Sequence, residues 1–567
     1  MRDQSGGRRG PVALGARAQP RAGRGALRLQ AADGRRVWRQ VGPAESVQRL
    51  RRRPGVLGPR PRSLSAGERG VGEGHGRIGA RRRVEGCGER RAPRAAGPRA
   101  SRLHQGGVLV TSVDRSRLPL PGPDPSFRIP VVRRFALANG LRVWTVEQRE
   151  VPVVSFLLLL TSGASADPVE HPGLAALTAD LMDEGSGDRS AIDIEDALAR
   201  LGAQLETEVG SDATVLSLLT LGRFRDDALA LLADIVARPR LSETDFTRLR
   251  DLRLTRLLQL RDLPPAVADR TLTKLLYPEH PYGHLPMGTA EGLREVTLDE
   301  VRAHHACAWR PSRLTLIAVG DATHEELLAS AERAFGAWSP AATNGRSSAP
   351  SLGPEDRPAA VGPLVAIVDR PGAAQSEVRI GQVALPRQTP DYHALLVLNA
   401  ILGGQFVSRL NMNLREDKGY TYGARSGFEF RRAPGPFVVQ VAVQTSATAD
   451  AVREALGEIE AIGGERPATS EELELARSAL TRGYPRNFET AGQVARSLAQ
   501  LALYGLPHDT FEQFVPAVAG VGIEDVTAGA RRLDRGRMVV AIVGDRERVA
   551  EGLAGLGLGE PKVVAAE

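Results

Sequence analysis

The sequence predicts an α+β protein of two similar domains, and three observations lead there. Strand-like and helix-like patterns alternate from residue 132 to the end. Two stretches repeat each other, RLTLIAVGD from Arg313 and RMVVAIVGD from Arg537, 224 residues apart, and each follows a helical pattern, LDEVRAHHACAW from Leu298 and IEDVTAGARRLD from Ile523, 225 residues apart. A period of that length is a duplicated domain, not a solenoid unit. The third observation is a stretch of linker composition between the copies, AATNGRSSAPSLGPEDRP at 341–358. With 567 residues, 42% of them hydrophobic, the chain is long enough for two or three cores. Cys87 and Cys307, its two cysteines, exclude a disulfide framework and any all-thiolate metal site. The longest apolar run, VVSFLLLL at Val153–Leu160, is far short of the ~20 residues that span a bilayer, so no membrane span is expected.

The elements follow in order. Residues 1–117 are an Arg-rich arm. The first 100 hold 25 Arg, no Lys and 7 acidic residues, a balance of +18, so the remaining 467 carry −10 against the chain's +8. The ordered bulk is therefore acidic, and no nucleic-acid partner is expected. The arm, with Trp38 its one aromatic residue in the first 100, has too little apolar surface to order itself. Its composition is that of a GC-rich coding strand translated without selection, which would put the true start downstream, near Val108, Val110 or Val113. No secretory signal is visible at Met1, and this leaves the compartment open if the start lies elsewhere. A Pro-rich spacer at 118–131 leads into the first domain, 132–340. There FALANGLRVWTVEQ reads as a hairpin around Asn139-Gly140. Helical patterns cover 173–182, 191–201 and 223–237, and a strand pattern covers 206–221. After the linker, 341–358, the second domain occupies 359–560.

Six stretches resemble the insulinase/pitrilysin family of zinc metallopeptidases, in its half-length, mitochondrial-processing-peptidase-like branch. They are FALANGLRVWTVE, HPGLAALTADLMDEGSGDRSA, LGAQLETEVGSDAT, HPYGHLPMGT, NAILGGQFVSRLNMNLREDKGYTYGARS and LYGLP, of which the fifth, at 399–426, is the most specific. The resemblance covers about three quarters of the chain and leaves out the arm. It implies two domains, each a mostly antiparallel sheet with helices packed on one side, facing each other across a substrate chamber.

The family's activity needs His-x-x-Glu-His on a helix, because two His four residues apart share one face, bind zinc, and leave the Glu to polarise the metal-bound water. The matching helix here is GLAALTADLM, with Ala176 and Asp180 at the His positions and Ala179 at the Glu position. No His occurs between His171 and His280, so no shift of alignment restores the motif. The family's third ligand, a Glu on a later helix, corresponds to the neighbourhood of Thr255 to Leu258, where no carboxylate stands. No metal is therefore expected on this chain. His280 and His284 flank Pro281, Tyr282 and Gly283, which reads as a structural loop and not a helix. His304, His305 and Cys307 share a helix, but adjacent residues point about 100° apart, so the two His read as a surface and core pair. His324, His393 and His508 are isolated and read as solvated or satisfied core groups. Gly403-Gly404 reads as a helix end close to a neighbouring backbone, since no phosphate-loop pattern follows it.

Arg415 and Tyr422 match the Arg and Tyr that the family contributes from its second domain. A guanidinium and a neutral phenol are hydrogen-bond donors suited to a peptide carbonyl that gains negative charge. Arg415 is expected near the end of a helix, Gly419 as its left-handed cap, and a strand from Tyr420. That strand would put Tyr420 on one face with Tyr422 and leave either as the donor. The resemblance thus implies a non-catalytic, zinc-less subunit of a heterodimeric peptidase, acting on a peptide with a homologous subunit that carries intact His-x-x-Glu-His and the zinc. The alternatives are a binding or scaffold protein without a proteolytic role, and an enzyme with a metal relocated to His304 and His305.

Overall fold

The computed structural model describes residues 128–339 and 352–566. The Arg-rich arm, most of the Pro-rich spacer and most of the linker lie outside the described residues.

The first half runs β1 (Arg133–Ala136), β2 (Arg142–Glu147), β3 (Val153–Leu160), α1 (Leu174–Leu181), a small hairpin β4 (Gly185–Ser186) and β5 (Arg189–Ser190), α2 (Ala191–Arg200), β6 (Gln204–Val209), β7 (Thr214–Leu221), α3 (Arg225–Ala237), α4 (Glu243–Arg261), α5 (Pro264–Leu276), α6 (Ala290–Glu295), α7 (Leu298–Ala308), β8 (Leu314–Gly320) and α8 (His324–Phe335). The second runs β9 (Leu364–Asp369), β10 (Gln375–Val383), α9 (Tyr392–Leu402), α10 (Arg409–Asn411), β11 (Ala424–Phe428), β12 (Pro436–Gln444), α11 (Thr448–Gly463), α12 (Ser470–Gly483), α13 (Ala491–Tyr504), α14 (Thr510–Gly520), α15 (Ile523–Ala530), β13 (Val539–Gly544), α16 (Arg546–Ala554) and β14 (Lys562–Val563).

The hairpin around Asn139-Gly140 forms as the sequence predicts. Leu137 and Leu141 close it through a 2.8 Å backbone bond, and Gly140 takes φ +89°, a left-handed conformation open to glycine. The stretch 206–221, read as one strand, is instead the hairpin β6–β7. Gly210 N–H donates to the Ala213 carbonyl at 2.8 Å, while the Gly210 and Ser211 carbonyls accept from Ala164 and Ser165. The turn is fixed by a partner some 45 residues upstream, which local alternation cannot reveal.

Each half builds one six-stranded, mostly antiparallel sheet, in the orders β1-β2-β8-β3-β7-β6 and β14-β9-β13-β10-β12-β11. These correspond strand for strand, down to the parallel pairs β2/β8 and β9/β13. The outermost pairs differ, β1/β2 being antiparallel and β14/β9 parallel. β14 also carries the second sheet past residue 560, the predicted domain end.

Each sheet packs its own helices on one face. Residues of α2, α3 and α8 bury against the first sheet, and residues of α9, α11, α12 and α15 against the second. The opposite faces are covered by exchange. α13, from the second half, sets Val494, Leu498 and Leu501 against Leu157, Leu159, Ile317 and Val319 of the first sheet. α5, from the first half, sets Leu272 and Leu276 against Val438, Val539 and Ala541 of the second, with Val267 and Ala268 against Val368 and Val543. The free face of each sheet is thus filled by side chains of the other half and does not look into open space.

Because of this exchange the two halves are expected to unfold together. Leu272→Ala removes a side chain packed on the second sheet and should cost about 2–5 kcal/mol. Trp309 and Trp338 pack in the first half's own core, so their fluorescence reports on that half, whereas Trp144 also meets the α13 cluster. A urea midpoint lowered at these tryptophans is the expected result, and an unchanged one would show the halves to be independent.

Candidate functional site

The helix that matches the zinc motif is held firmly at its start. Asp167 accepts from the backbone N–H of Gly173 at 2.7 Å and of Ala175 at 2.8 Å, supplying the partners that the first turn lacks. Gly173 has φ +101°, and a Cβ there would lie 2.9 Å from the Gly288 Cα. Ala176 and Ala179 are both buried, and Asp180 reaches partly into solvent. Across from it, the buried Arg253 of α4 donates from Nε and Nη2 to Asp180 Oδ2, at 3.1 and 2.6 Å, and from Nη1 to the Pro286 carbonyl at 3.3 Å. One turn further on, Leu257 packs among Leu174, Leu177 and Leu181. A second ion pair, Glu184 with Arg248, also ties the end of α1 to α4.

These residues do not fit a zinc ion. A catalytic zinc takes three protein ligands, and the positions that match the motif offer one carboxylate, already bound to a guanidinium. Among the described residues no group of three or more His, Cys, Asp or Glu is placed to hold a metal. Sequence reasoning missed Arg253, although it lies two residues before the stretch examined for the third ligand.

The other histidines are engaged elsewhere. His280 Nδ1 accepts from Tyr282 N–H at 3.1 Å within a short turn at Pro281–Gly283. The Tyr282 hydroxyl donates to Asp212 at 2.8 Å and accepts from Ala433 N–H at 2.9 Å, so this loop ties the two halves together. His304 and His305 are both half-buried, which corrects the surface and core reading. His305 Nε2 lies 2.9 Å from the Val236 carbonyl and its ring stacks on Trp309. Burial pushes His304 down to about 4, helped by the charges of His305 and Arg313. α7 is thus packed against α3 and does not present a pair of ligands. His324, buried, meets the Thr145 hydroxyl at 2.7 Å, and His508 contacts Arg134.

The second half presents a different surface. α9 ends at Gly403, where a Cβ would lie 2.7 Å from Ser426 N, so the expected close approach is real. After α10 the chain widens into a π-helical turn, Met412–Asp417, that carries Arg415. π-Turns are rare and recur at functional sites. This one is held by Asn413, which donates to Glu454 and Glu458 at 3.0 and 2.8 Å, and by the two-pronged pairing of Arg409 with Glu472 at 2.7 Å. Leu414 is fully buried beneath it. Arg415 lies over the ring of Phe406, 4.3 Å from its centroid, with Nε 3.5 Å from Glu416.

Gly419 is left-handed as expected, with φ +66°. The strand, however, begins at Ala424 and not at Tyr420. Residues 420–423 are drawn away by Tyr420 O, which accepts from Gln444 N–H at 3.3 Å, and by the Thr421 hydroxyl, which donates to the Ala442 carbonyl at 2.6 Å. Tyr420 and Tyr422 consequently do not share a face. Tyr420 packs against the second core, and Tyr422 is 94% exposed. Asn411 fixes this segment to the π-turn, accepting from Ala424 N–H at 2.9 Å and donating to the Gln405 carbonyl at 3.1 Å. Phe406, 65% exposed, Val407 and Met412 extend the exposed apolar surface beside Arg415. A cleft of about 490 Å³ runs along the π-turn, lined by Arg409, Met412, Asn413, Asp417 and Glu458 among others. Among the described residues no hydrogen bond or ion pair joins this surface to α1.

Two family models match end to end. Residues 142–290 match the insulinase model of peptidase family M16, and residues 295–480 match the model described as the peptidase M16 inactive domain. The chain belongs to the insulinase family, M16. An uncharacterized zinc protease of Mycobacterium tuberculosis is 27% identical over 413 residues, covering 73% of this chain and 93% of that relative. A crystal structure titled as the peptidase M16 inactive domain from Pseudomonas fluorescens is 27% identical, with a TM-score of 0.68 over 73% of this chain and 98% of that one. The probable mitochondrial-processing peptidase subunit beta of Schizosaccharomyces pombe is 26% identical over 284 residues, 48% of this chain and 61% of that relative. No helix among the described residues is long and apolar enough to cross a membrane.

A pH test follows from the carboxylates beside α1. Burial, together with the charges of Asp180 and Glu184, pushes Asp183 up to about 7. Between pH 4 and 7 the folded protein keeps a proton there that the unfolded chain has lost, so stability falls as pH rises through that window. Asp183→Asn should remove this part of the fall, giving urea midpoints at pH 4.5 and 7.5 that lie closer together than in the wild type. An unchanged difference would show that Asp183 titrates normally.

Proposed function

We propose that this M16 chain is the zinc-less subunit of a heterodimeric metallopeptidase, closing on a homologous subunit that carries intact His-x-x-Glu-His. The observation that carries this reading is the division of the molecule. The motif positions on α1 hold an ion pair in place of metal donors, while Tyr422, on the segment that follows the π-turn of Arg415, stands almost wholly exposed. A phenol held out in this way by a braced segment is suited to a surface that another chain completes.

In that assembly zinc on the partner supplies the activated water, and this chain supplies grip and donors. Arg415 presents a fixed guanidinium and Tyr422 a neutral phenol, both able to donate to a peptide carbonyl oxygen as it gains charge. The packing of Tyr420 favours Tyr422 as the donor. The beta-subunit name of the relative in fission yeast supports a two-subunit arrangement, and the acidic balance of the chain beyond the arm suits cationic peptides.

The test is peptide hydrolysis with zinc quantification, on this chain alone and after co-expression with a homologue bearing the intact motif. Hydrolysis and zinc in the mixture only are expected, and zinc-dependent hydrolysis by this chain alone would overturn the reading. Within the active mixture, Arg415→Ala or Tyr422→Phe should each lower kcat by roughly 10²–10³-fold, the cost of losing one transition-state donor. Co-purification of the two subunits should be retained. Unchanged kcat in both variants would leave this chain a scaffold.

A further inference from the structure

The loop between β10 and α9 buries an arginine that no other described residue balances. Arg387 is 9% exposed. Its backbone N–H donates to the Arg431 carbonyl at 2.8 Å, and its guanidinium lies over the ring of Tyr392, 3.5 Å from the centroid. Among the described residues its side chain makes no hydrogen bond and no ion pair, and its Nε is sealed from solvent without a partner. The Tyr504 carbonyl, where α13 ends against this loop, is already taken by Gln388 Nε2 at 2.6 Å.

The surroundings form an aromatic wall with further idle donors. Tyr392 meets His393 at 5.2 Å and Phe430 at 4.8 Å, His393 meets Phe514 at 5.7 Å, and Phe514 stacks on Tyr484 at 4.0 Å. Tyr484 is 8% exposed, and among the described residues neither its hydroxyl nor the ring nitrogens of His393 make a hydrogen bond. Burial keeps the phenol protonated and the imidazole neutral, and among the described residues Arg387 is the charged side chain that acts on both. Among the described residues this corner thus holds one cation and two neutral donors, with no ion pair to any of the three.

A guanidinium drawn largely out of water without a counter-charge is costly, so an anion that reaches its open end from outside would relieve that cost. We propose that Arg387, Tyr484 and His393 form a receptor for a carboxylate carried on a peptide. The planar fork of arginine matches the two oxygens of a carboxylate. A single positive charge between aromatic walls suits a planar monoanion better than the dianion of a phosphate. The carboxylate comes either from a peptide C-terminus or from an acidic side chain. This receptor does not depend on the heterodimer reading, since all its residues belong to one chain.

Calorimetry on the full chain tests it with four probes: N-acetyl-Gly-Ala as the free acid, the same dipeptide as its amide, N-acetyl-Gly-Glu-amide, and inorganic phosphate. Binding of the free acid but not its amide supports a C-terminal carboxylate, and binding of the Glu-amide supports an acidic side chain. Arg387→Lys should weaken the bound probe about tenfold by losing the fork, and Tyr484→Phe should weaken it severalfold. Arg387→Met should abolish binding and raise the Tm of the unliganded chain, because it removes an unbalanced buried charge. Binding of neither carboxylate, tighter binding of phosphate, or a lower Tm for Arg387→Met would overturn the proposal, the last by showing that Arg387 serves the fold.

Discussion

The rest of the structure depends on the reciprocal exchange of α5 and α13. A sheet that is covered on one face only keeps alternating polar positions on the other. Here both faces of the central strands are dry, so β3 reads VVSFLLLL and β8 reads LTLIAVG without alternation, and both are buried along almost their whole length. The apolar run that stands out in the sequence is the imprint of a helix from the far half of the chain. Because each half completes the other, the helices that carry the site residues, α1 with α4 and α9 with α10, are fixed relative to one scaffold. The polar contacts of Tyr282 with Asp212 and Ala433 lock the same junction.

On that scaffold a polar cross-link joins α1 to α4. In the family pattern a metal ion would bridge α1 to the later helix. Here Arg253 does so, reaching from α4 to Asp180 and on to the Pro286 carbonyl. The guanidinium is buried and its three donor nitrogens are all occupied, whereas Asp180 keeps one side to solvent. Burying the charged arginine is tolerable because the pair is complete. Removing either partner alone would strand a charge, which ties Asp180 and Arg253 together. The residues at the motif positions thus form an internally consistent arrangement of their own.

How much of this the sequence made legible depends on how local each cause is. Asn139-Gly140, the helix end at Gly403 and the left-handed Gly419 are set by neighbouring backbone, and each stands where expected. The duplication was legible because RLTLIAVGD and RMVVAIVGD form the central strands β8 and β13, whose burial on both faces restricts their composition. The β6–β7 turn, the π-turn and the late start of β11 were not legible. Their causes lie far along the chain, in Ala164 and Ser165 for the first, in Glu454, Glu458 and Glu472 for the second, and in Ala442 and Gln444 for the third. Tyr420 and Tyr422 show the consequence. Two residues apart, they share a face only if a strand runs through them, and the bonds from 442 and 444 prevent it.

The same distinction separates three arginines that look alike in sequence. Arg253 has a full set of partners within the chain and explains itself as a strut. Arg415 is half-exposed and shares its charge with Glu416 and the face of Phe406, so its position costs little and its surroundings are open to a second chain. Arg387 is buried as deeply as Arg253, but among the described residues its side chain meets only the ring of Tyr392. A fold under no other demand would replace it with an apolar side chain of similar volume. Deep burial together with missing partners is what distinguishes a receptor from a strut. By that measure the loop at 384–391 joins the proposed donor Tyr422 among the features of this chain that packing alone does not account for.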